Sequence, residues 1–486
     1  MHVRATPHNR SLGRCTRVST TMSGNIDPEV QKAVNNASKP VPTGYFIYII
    51  KSLMFHGYYL TSVCALLPIY ILLAALPALG SRYKDWTFLE TLNILVVRRA
   101  VRLMTVFGMQ PIPPRENGWR EMNNFVGKLL SNLNTQGPGG FVGPATENYA
   151  SKNRPDVEWF DPPPLEAFRG VLTIRTPTNQ NTNVKDSRYY SGPPLLEPCW
   201  AKARTKAFWF MSERRPAPSL GPSGSQSRPV ILYFHGGAGV TMSAGDPYTG
   251  LTLARTLAKN AQMDVFSVEY GLAPFAPFPV PIMQALAAYL HLVHKHGYHP
   301  SQIFIGGDSF GGWLTLQLES ILRFDCHHMT ATLPNKAKTS SGVPGLLLLS
   351  PWVCCFDPKT PSRSVNGVGQ RYDFITAAFA DWGVRSMFGN PEGKHLPVAV
   401  DSPTASPFST PMEDLTLPPC YIALGGVEAL VDEDVMYAEK IRRAGGSVTL
   451  DIVPGLVHDY GLIFAFMSRF RETCTKMGKW CAELQS

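Results

Sequence analysis

IFIGGDSFGGW (303–313) is the stretch whose reading decides the fold. It opens as a short apolar, β-branched run and closes on glycines that lead into a helix. Between them, Gly307-Asp308-Ser309-Phe310-Gly311 offers the chain a sharp strand-to-helix turn, because glycines two residues either side of the serine remove the Cβ atoms that would clash there. Working outward, the same rhythm repeats from Val230 onward. The runs VILYF, DVFSVEY, IFIGG, GLLLLS, CYIALGG and VTLDIV alternate with the helical stretches TGLTLARTLAKN, IMQALAAYLHLVHKH and DVMYAEKIRRAGG. Strands alternating with helices make βαβ units, so the fold class is α/β, with a mostly parallel central sheet flanked by helices on both faces. Upstream, FRGVLTIRTP and KAFWF read as the first two strands of a catalytic domain over residues 168–486. Between KAFWF and VILYF, SERRPAPSLGPSGSQSRP has no apolar periodicity and is expected to be a disordered loop at about 212–228.

The turn carries chemistry. A serine hydroxyl attacks a carbonyl only when exposed and supplied with a base, and a strand-to-helix turn gives Ser309 the exposure. The tetrahedral intermediate would carry an oxyanion that backbone N–H groups must meet. His235-Gly236-Gly237-Ala238-Gly239, directly after VILYF, is a small-residue loop suited to that task. Gly236, Gly237 and Ala238 are the candidate donors, joined by Phe310 N–H at the start of the helix after Ser309. The remaining partners should follow in the order acid, then histidine. His458 in GLVHDY, after the last strand, is the expected base. Glu428, after CYIALGG, is the expected acid that orients it. Asp432 and Asp434 compete with Glu428 but stand farther from the strand end, where carboxylates favour a helix N-terminus.

Read together, HGGA, YGLAPFAPFP, GGDSFGGW, LLSPW, the VEALVDE block and GLVHDY resemble, in order and interval, the hormone-sensitive-lipase-like esterases, over roughly residues 230–484. That group includes arylacetamide deacetylases and fungal steryl acetyl hydrolases. The resemblance implies an α/β-hydrolase fold with Ser309 as nucleophile, His458 as base, Glu428 as acid and Gly236–Ala238 as the oxyanion loop. Three departures stand out. The acid is Glu where the family usually has Asp; the third loop position is Ala238, which would resist positive φ; and Gly271 and Phe275 replace a charged pair of the family's pattern.

The composition limits the other classes. The chain has 486 residues, 44% of them hydrophobic, enough for a large core, and its net charge of +9 is scattered rather than gathered in runs, which argues against nucleic-acid binding. Nine cysteines at irregular spacings, without CxxC, indicate neither a zinc site nor a disulfide framework. His291, His294, His296 and His299 cluster in HLVHKHGYHP but read as a helix end running into a turn, with no carboxylate or cysteine to complete a metal site; no metal and no organic cofactor are expected.

Residues 1–51 read as a polar, mobile tail. Leu60–Leu79 is twenty residues without a charge, enough to cover a bilayer core of about 30 Å. Residues 52–80 are therefore expected to be a transmembrane helix, with a buried cap helix as the alternative favoured by Pro68 and Pro77. Residues 81–167 form a cap or amphipathic region in which Arg98, Arg99 and Arg102 border an apolar stripe, suited equally to a membrane surface and to a cap. Basic residues stand on both sides of the span, so its orientation is open. The expected protein is a single-pass membrane esterase, placed by resemblance at the endoplasmic reticulum, acting through an acyl-enzyme on hydrophobic, short-acyl esters. The alternatives are a transacylase or amide hydrolase using the same residues, or a non-catalytic ligand-binding homologue. The sequence leaves the oligomeric state open.

Overall fold

The computed structural model describes residues 26–39, 45–76, 82–108, 156–213, 217–222, 226–245, 250–325, 341–355, 368–389 and 398–486. Its centre is an eight-stranded sheet in the order β1-β2-β4-β3-β5-β6-β7-β8. The strands are β1 (Asp156–Phe160), β2 (Thr205–Phe210), β3 (Val230–Phe234), β4 (Asp264–Glu269), β5 (Ile303–Asp308), β6 (Leu346–Leu349), β7 (Cys420–Gly425) and β8 (Val448–Val453). From β4 to β8 all pairings are parallel, while β2 runs antiparallel to both β1 and β4. Strands β3, β5, β6 and β7 are buried along their whole length, as continuous apolar runs covered on both faces should be.

Ten α-helices are described: α1 (Pro28–Asn36), α2 (Tyr45–Ala75), α3 (Phe88–Phe107), α4 (Arg255–Ala261), α5 (Val280–His294), α6 (Phe310–Phe324), α7 (Val368–Tyr372), α8 (Ala377–Phe388), α9 (Val431–Arg443) and α10 (Met467–Gln485). Packing is tight where glycine allows it: a Cβ on Gly478 of α10 would come within 2.5 Å of the Ala261 carbonyl at the end of α4. Parallel strands and intervening helices place the loops after β3, β5, β7 and β8 at one end of the sheet, where ligands bind in such folds.

The expectations for β2 to β8 hold, but four others need correction. The first strand is DVEWF at 156–160, so the sheet begins before residue 168. FRGVLTIRTP instead folds into a 3-10 turn (Gly170–Leu172) after Gly170 takes φ 56°, and only Ile174 bridges to Leu196. The expected mobile tail contains α1 and the start of α2. Asp27 caps α1 by accepting from Glu29 N–H, Pro28 occupies the first helical turn, and Lys202 donates to the Asn35 and Ala37 carbonyls. The loop expected to be disordered is anchored in its described parts. Gly221 N–H donates to the Lys295 carbonyl and the Gln226 amide to the His296 carbonyl.

The fourth correction concerns the apolar span. Leu53–Ala75, 23 residues, is long and apolar enough to cross a membrane, and only 6% of its apolar window is buried. It begins upstream of Leu60, and Leu79 lies outside the described residues. Most of its described side chains point outward, Leu53 68% and Leu60 65% exposed, though Phe55 and Ala74 are buried, so α2 is not a helix buried on the hydrolase core. α3 behaves otherwise. Arg98 donates to the Asp373 carbonyl (2.8 Å), Arg99 to Ser62 Oγ on α2 (3.2 Å), and Glu90 pairs with Arg469 of α10. Just before α3, the Trp86 indole N–H donates to the Gly455 carbonyl and the ring packs among Tyr83, Tyr372 and Phe466. α3 is thus a cap that grips the segment leading to His458.

Candidate active site

Ser309 sits between β5 and α6 with φ 51° and ψ −116°, a conformation that L-residues avoid. The turn closes because nothing stands in its way: a Cβ on Gly311 would lie 1.9 Å from the Phe234 carbonyl, and one on Gly307 2.4 Å from Gly311. The strain is over-determined from outside. Ser309 N–H donates to the Leu349 carbonyl (2.9 Å) and the Ser309 carbonyl accepts from Trp352 N–H (2.9 Å). Among the described residues, Ser309 Oγ makes no hydrogen bond.

The loop after β3 folds back over this turn. Gly237 takes φ 100°, where a Cβ would meet the Thr241 carbonyl at 2.3 Å, and Ala238 takes φ 53°. Alanine does adopt the positive φ it was expected to resist, at a cost of about 1–2 kcal/mol. Gly383 of α8 makes room for it, since a Cβ there would reach the Ala238 Cβ at 2.8 Å. Gly236 N–H is already engaged: it donates to Asp308 Oδ2 (2.9 Å), while the Tyr233 hydroxyl donates to Asp308 Oδ1 (2.6 Å). Asp308 therefore fastens the loop to the serine turn. Among the described residues, the N–H groups of Gly237, Ala238 and Phe310 carry no such bond. His235 is wholly buried, stacks on Tyr270 at 4.3 Å and lies 2.9 Å from the Gly236 carbonyl through Nδ1. Burial pushes its pKa down to about 4, so it is neutral at ordinary pH.

Glu428 and His458 come together from the loops after β7 and β8. The Glu428 carboxylate is fully buried and accepts at Oε2 from Gly425 N–H (2.6 Å) and the Ser350 hydroxyl (2.7 Å). Its Oε1 lies 3.8 Å from His458 Nδ1, beyond hydrogen-bond reach. On the other side of the ring, His458 Nε2 meets Asp459 Oδ2 at 3.1 Å. Asp459 reaches back to its neighbour because its backbone is left-handed (φ 41°) and its N–H donates to Ser350 Oγ (3.2 Å). Ser350 thus ties both carboxylate-bearing loops to the end of β6. Burial presses the His458 imidazolium toward neutrality, but Asp459 and Glu428 prevail and hold it well above the usual histidine value.

A third carboxylate supports the base from behind. Asp373 accepts at Oδ1 from the N–H groups of His458 (3.3 Å) and Phe374 (2.7 Å), and at Oδ2 from Ala429 N–H (2.6 Å). Burial raises its pKa to about 6, with His458 opposing and Glu428 adding to the rise. The competing acids lie elsewhere. Asp432 is exposed in the first turn of α9, as a helix-start carboxylate should be, and Asp434, two residues on in the same turn, is buried with its pKa raised well above the usual value by burial and by Glu428. Sequence reading did not single out Ser350, Asp373 or Asp459. Asp459 stood beside the base and Ser350 at a strand end, but Asp373 lies in a stretch without pattern.

Known proteins are similar to this chain in sequence. A family model described as alpha/beta hydrolase fold matches residues 231–462. NlhH of Mycobacterium tuberculosis (strain CDC 1551 / Oshkosh), a carboxylesterase, is 31% identical over 317 residues, 63% of this chain and 89% of the relative. LipN of Mycobacterium tuberculosis (strain ATCC 25618 / H37Rv), a carboxylic ester hydrolase, is 30% identical over 256 residues, 51% of this chain. The chain spans only 61% of LipN. Among solved structures, a hormone-sensitive lipase from a metagenome library is 28% identical, with a TM-score of 0.44 over 57% of this chain and 82% of that one.

Proposed function

Starting from the fact that this chain belongs to the α/β-hydrolase family, we propose that it is a serine hydrolase of carboxylic esters. The observation that carries the reading is Ser309, held at φ 51° against the loop after β3, where a Cβ on Gly236 would lie 3.1 Å from the Ser309 Cβ, with the N–H groups of Gly237, Ala238 and Phe310 uncommitted. Ser309 Oγ attacks the ester carbonyl, His458 takes the hydroxyl proton, and the oxyanion falls among those three donors. His458 returns the proton to the leaving alcohol, and water, activated by the same base, releases the acid from the acyl-enzyme. Gly236, with its N–H on Asp308, shapes the loop rather than donating.

Two contacts must change for the base to act. The His458 Nε2 contact with Asp459 has to open toward Ser309, and the 3.8 Å gap from Nδ1 to Glu428 has to close. Such tightening on substrate binding is common in hydrolases without ligand. α2 would hold the enzyme at a bilayer, where hydrophobic esters of short acyl chains collect. The test is labelling of the full-length chain with a fluorophosphonate, followed by turnover of p-nitrophenyl esters of graded chain length. Labelling at Ser309 and hydrolysis of the short esters are expected; a chain that neither labels nor turns over any ester overturns the reading. Alkaline carbonate washing of membranes tests the anchor, and a chain that washes off would remove it.

A further inference from the structure

On the flank of the sheet away from β8, three side chains converge from segments far apart in sequence. Glu158 lies in the edge strand β1, His291 in the last turn of α5, and His296 just beyond that helix. Glu158 Oε1 is 2.9 Å from His291 Nε2, and Glu158 Oε2 is 2.9 Å from His296 Nε2. A carboxylate does therefore complete the histidine cluster, contrary to the sequence expectation. We propose that Glu158, His291 and His296 form a binding site for a divalent transition metal, zinc foremost, that ties β1 to the end of α5.

The geometry supports this in four ways. Both rings offer the same nitrogen, and one donor atom from each of the three residues lies within 4.8 Å of the others. Tetrahedral zinc, with bonds of about 2.0–2.2 Å, needs its donors roughly 3.3–3.5 Å apart, so donor atoms that lie within 4.8 Å of one another would draw together by at most about 1.5 Å on binding. Two imidazoles and one carboxylate are a donor set that suits zinc and leaves a fourth position for water, and the Glu158 side chain, 22% exposed, opens that position to solvent. The surroundings are apolar and aromatic. Phe160 stacks on His291 at 5.1 Å and Trp209 meets His296 edge-on at 5.2 Å, so the Glu158 carboxylate stands in a poorly solvated setting where a cation would balance its charge. Finally, the ligands are themselves held. The Trp209 indole N–H donates to Glu158 Oε2 (2.9 Å), the outer-shell bond a metal-binding carboxylate usually has, and Gln226 fixes the backbone at the His296 carbonyl.

The test uses the full-length chain, purified in detergent without a histidine tag, loaded with zinc and dialysed against metal-free buffer. Mass spectrometry should find about one zinc per chain, and cobalt in its place should give the visible absorption of a tetrahedral site. Glu158→Gln keeps an acceptor for one imidazole but removes the charge, and should abolish retention. Trp209→Phe should weaken zinc binding roughly 10- to 100-fold. A chelator should lower the Tm of the wild type and leave that of Glu158→Gln unchanged, a readout that holds even if a histidine variant fails to fold. A wild-type chain that retains no zinc, or a Glu158→Gln chain that retains as much as the wild type, overturns the proposal and leaves a hydrogen-bonded network alone.

Discussion

Among the described residues, imidazole meets carboxylate in two regions, and the two are built in opposite ways. At the strand ends, His458 is nearly buried between Glu428 and Asp459, each on one side of the ring, with Glu428 Oε1 and His458 Nδ1 both left without a hydrogen bond. On the flank, one carboxylate, Glu158, is shared by two imidazoles and an indole, and both of its oxygens are satisfied. Unsatisfied buried polar atoms cost free energy that a functional site retains, whereas a carboxylate with both oxygens bonded stabilises. The first region is arranged to change and the second to hold.

That contrast fails most visibly if the first region does not control turnover. Ser309→Ala and His458→Ala should each lower kcat by at least about a thousandfold with the fold intact by circular dichroism. Residual turnover above that level would mean that another nucleophile or base operates. Next in size, Glu428→Gln keeps the shape but removes the charge that stabilises the imidazolium. Its kcat should fall on the order of a hundred- to ten-thousand-fold with KM little changed. Asp432→Asn should cost far less, and the reverse order would make Asp432 the acid.

Asp459 gives a finer test. Its charge favours the protonated imidazole, and only neutral His458 can accept the serine proton. The acid limb of kcat/KM should therefore lie above the usual histidine range, and Asp459→Asn should move it to lower pH. An unmoved limb would show that Asp459 does not face the base in solution. The smallest effect belongs to the flank. Burial raises the Glu158 pKa, but hydrogen bonds from His291, His296 and Trp209 outweigh it and hold the carboxyl below the usual range. A depressed folded-state pKa contributes stability above the unfolded value, and this is lost as pH falls toward the folded one. Glu158→Gln in metal-free buffer should thus lower stability by roughly 1–3 kcal/mol at neutral pH, read as Tm, with the difference shrinking below the ordinary carboxylate range and kcat unchanged. A fall in kcat would break the separation of the two regions.

The same contrast explains what could be read from residues alone. β3 to β7 were legible because parallel strands buried on both faces appear as apolar runs, and the more exposed β8 because Val448, Thr449, Ile452 and Val453 are β-branched. Ser309, Glu428 and His458 were nameable because each follows such a run. DVEWF was missed because an edge strand is fixed by its pairing with β2, Glu158 opposite Ala207, which no local pattern announces. Glu158 was invisible as a partner of His291 for the same reason. Asp27-Pro28, by contrast, was a legible helix start inside a tail judged by composition. Asp459 was readable as an acid but not as a contact, since the left-handed backbone that turns it toward His458 depends on Ser350.

The hold of Trp86 on the Gly455 carbonyl decides where the chain can be shortened. Cutting after Gly108 would strip away the proposed anchor and the cap together. Phe466 and Tyr372 would then face water, and the loop that carries His458 would lose its outer wall. A cut between Leu76 and Arg82 parts the two, removing α1 and α2 while sparing Trp86 and α3. Handled this way, the apolar helix α2 and the cap formed by Trp86 and α3 are parts with separate duties, the first offering an apolar surface and the second walling the loop of His458.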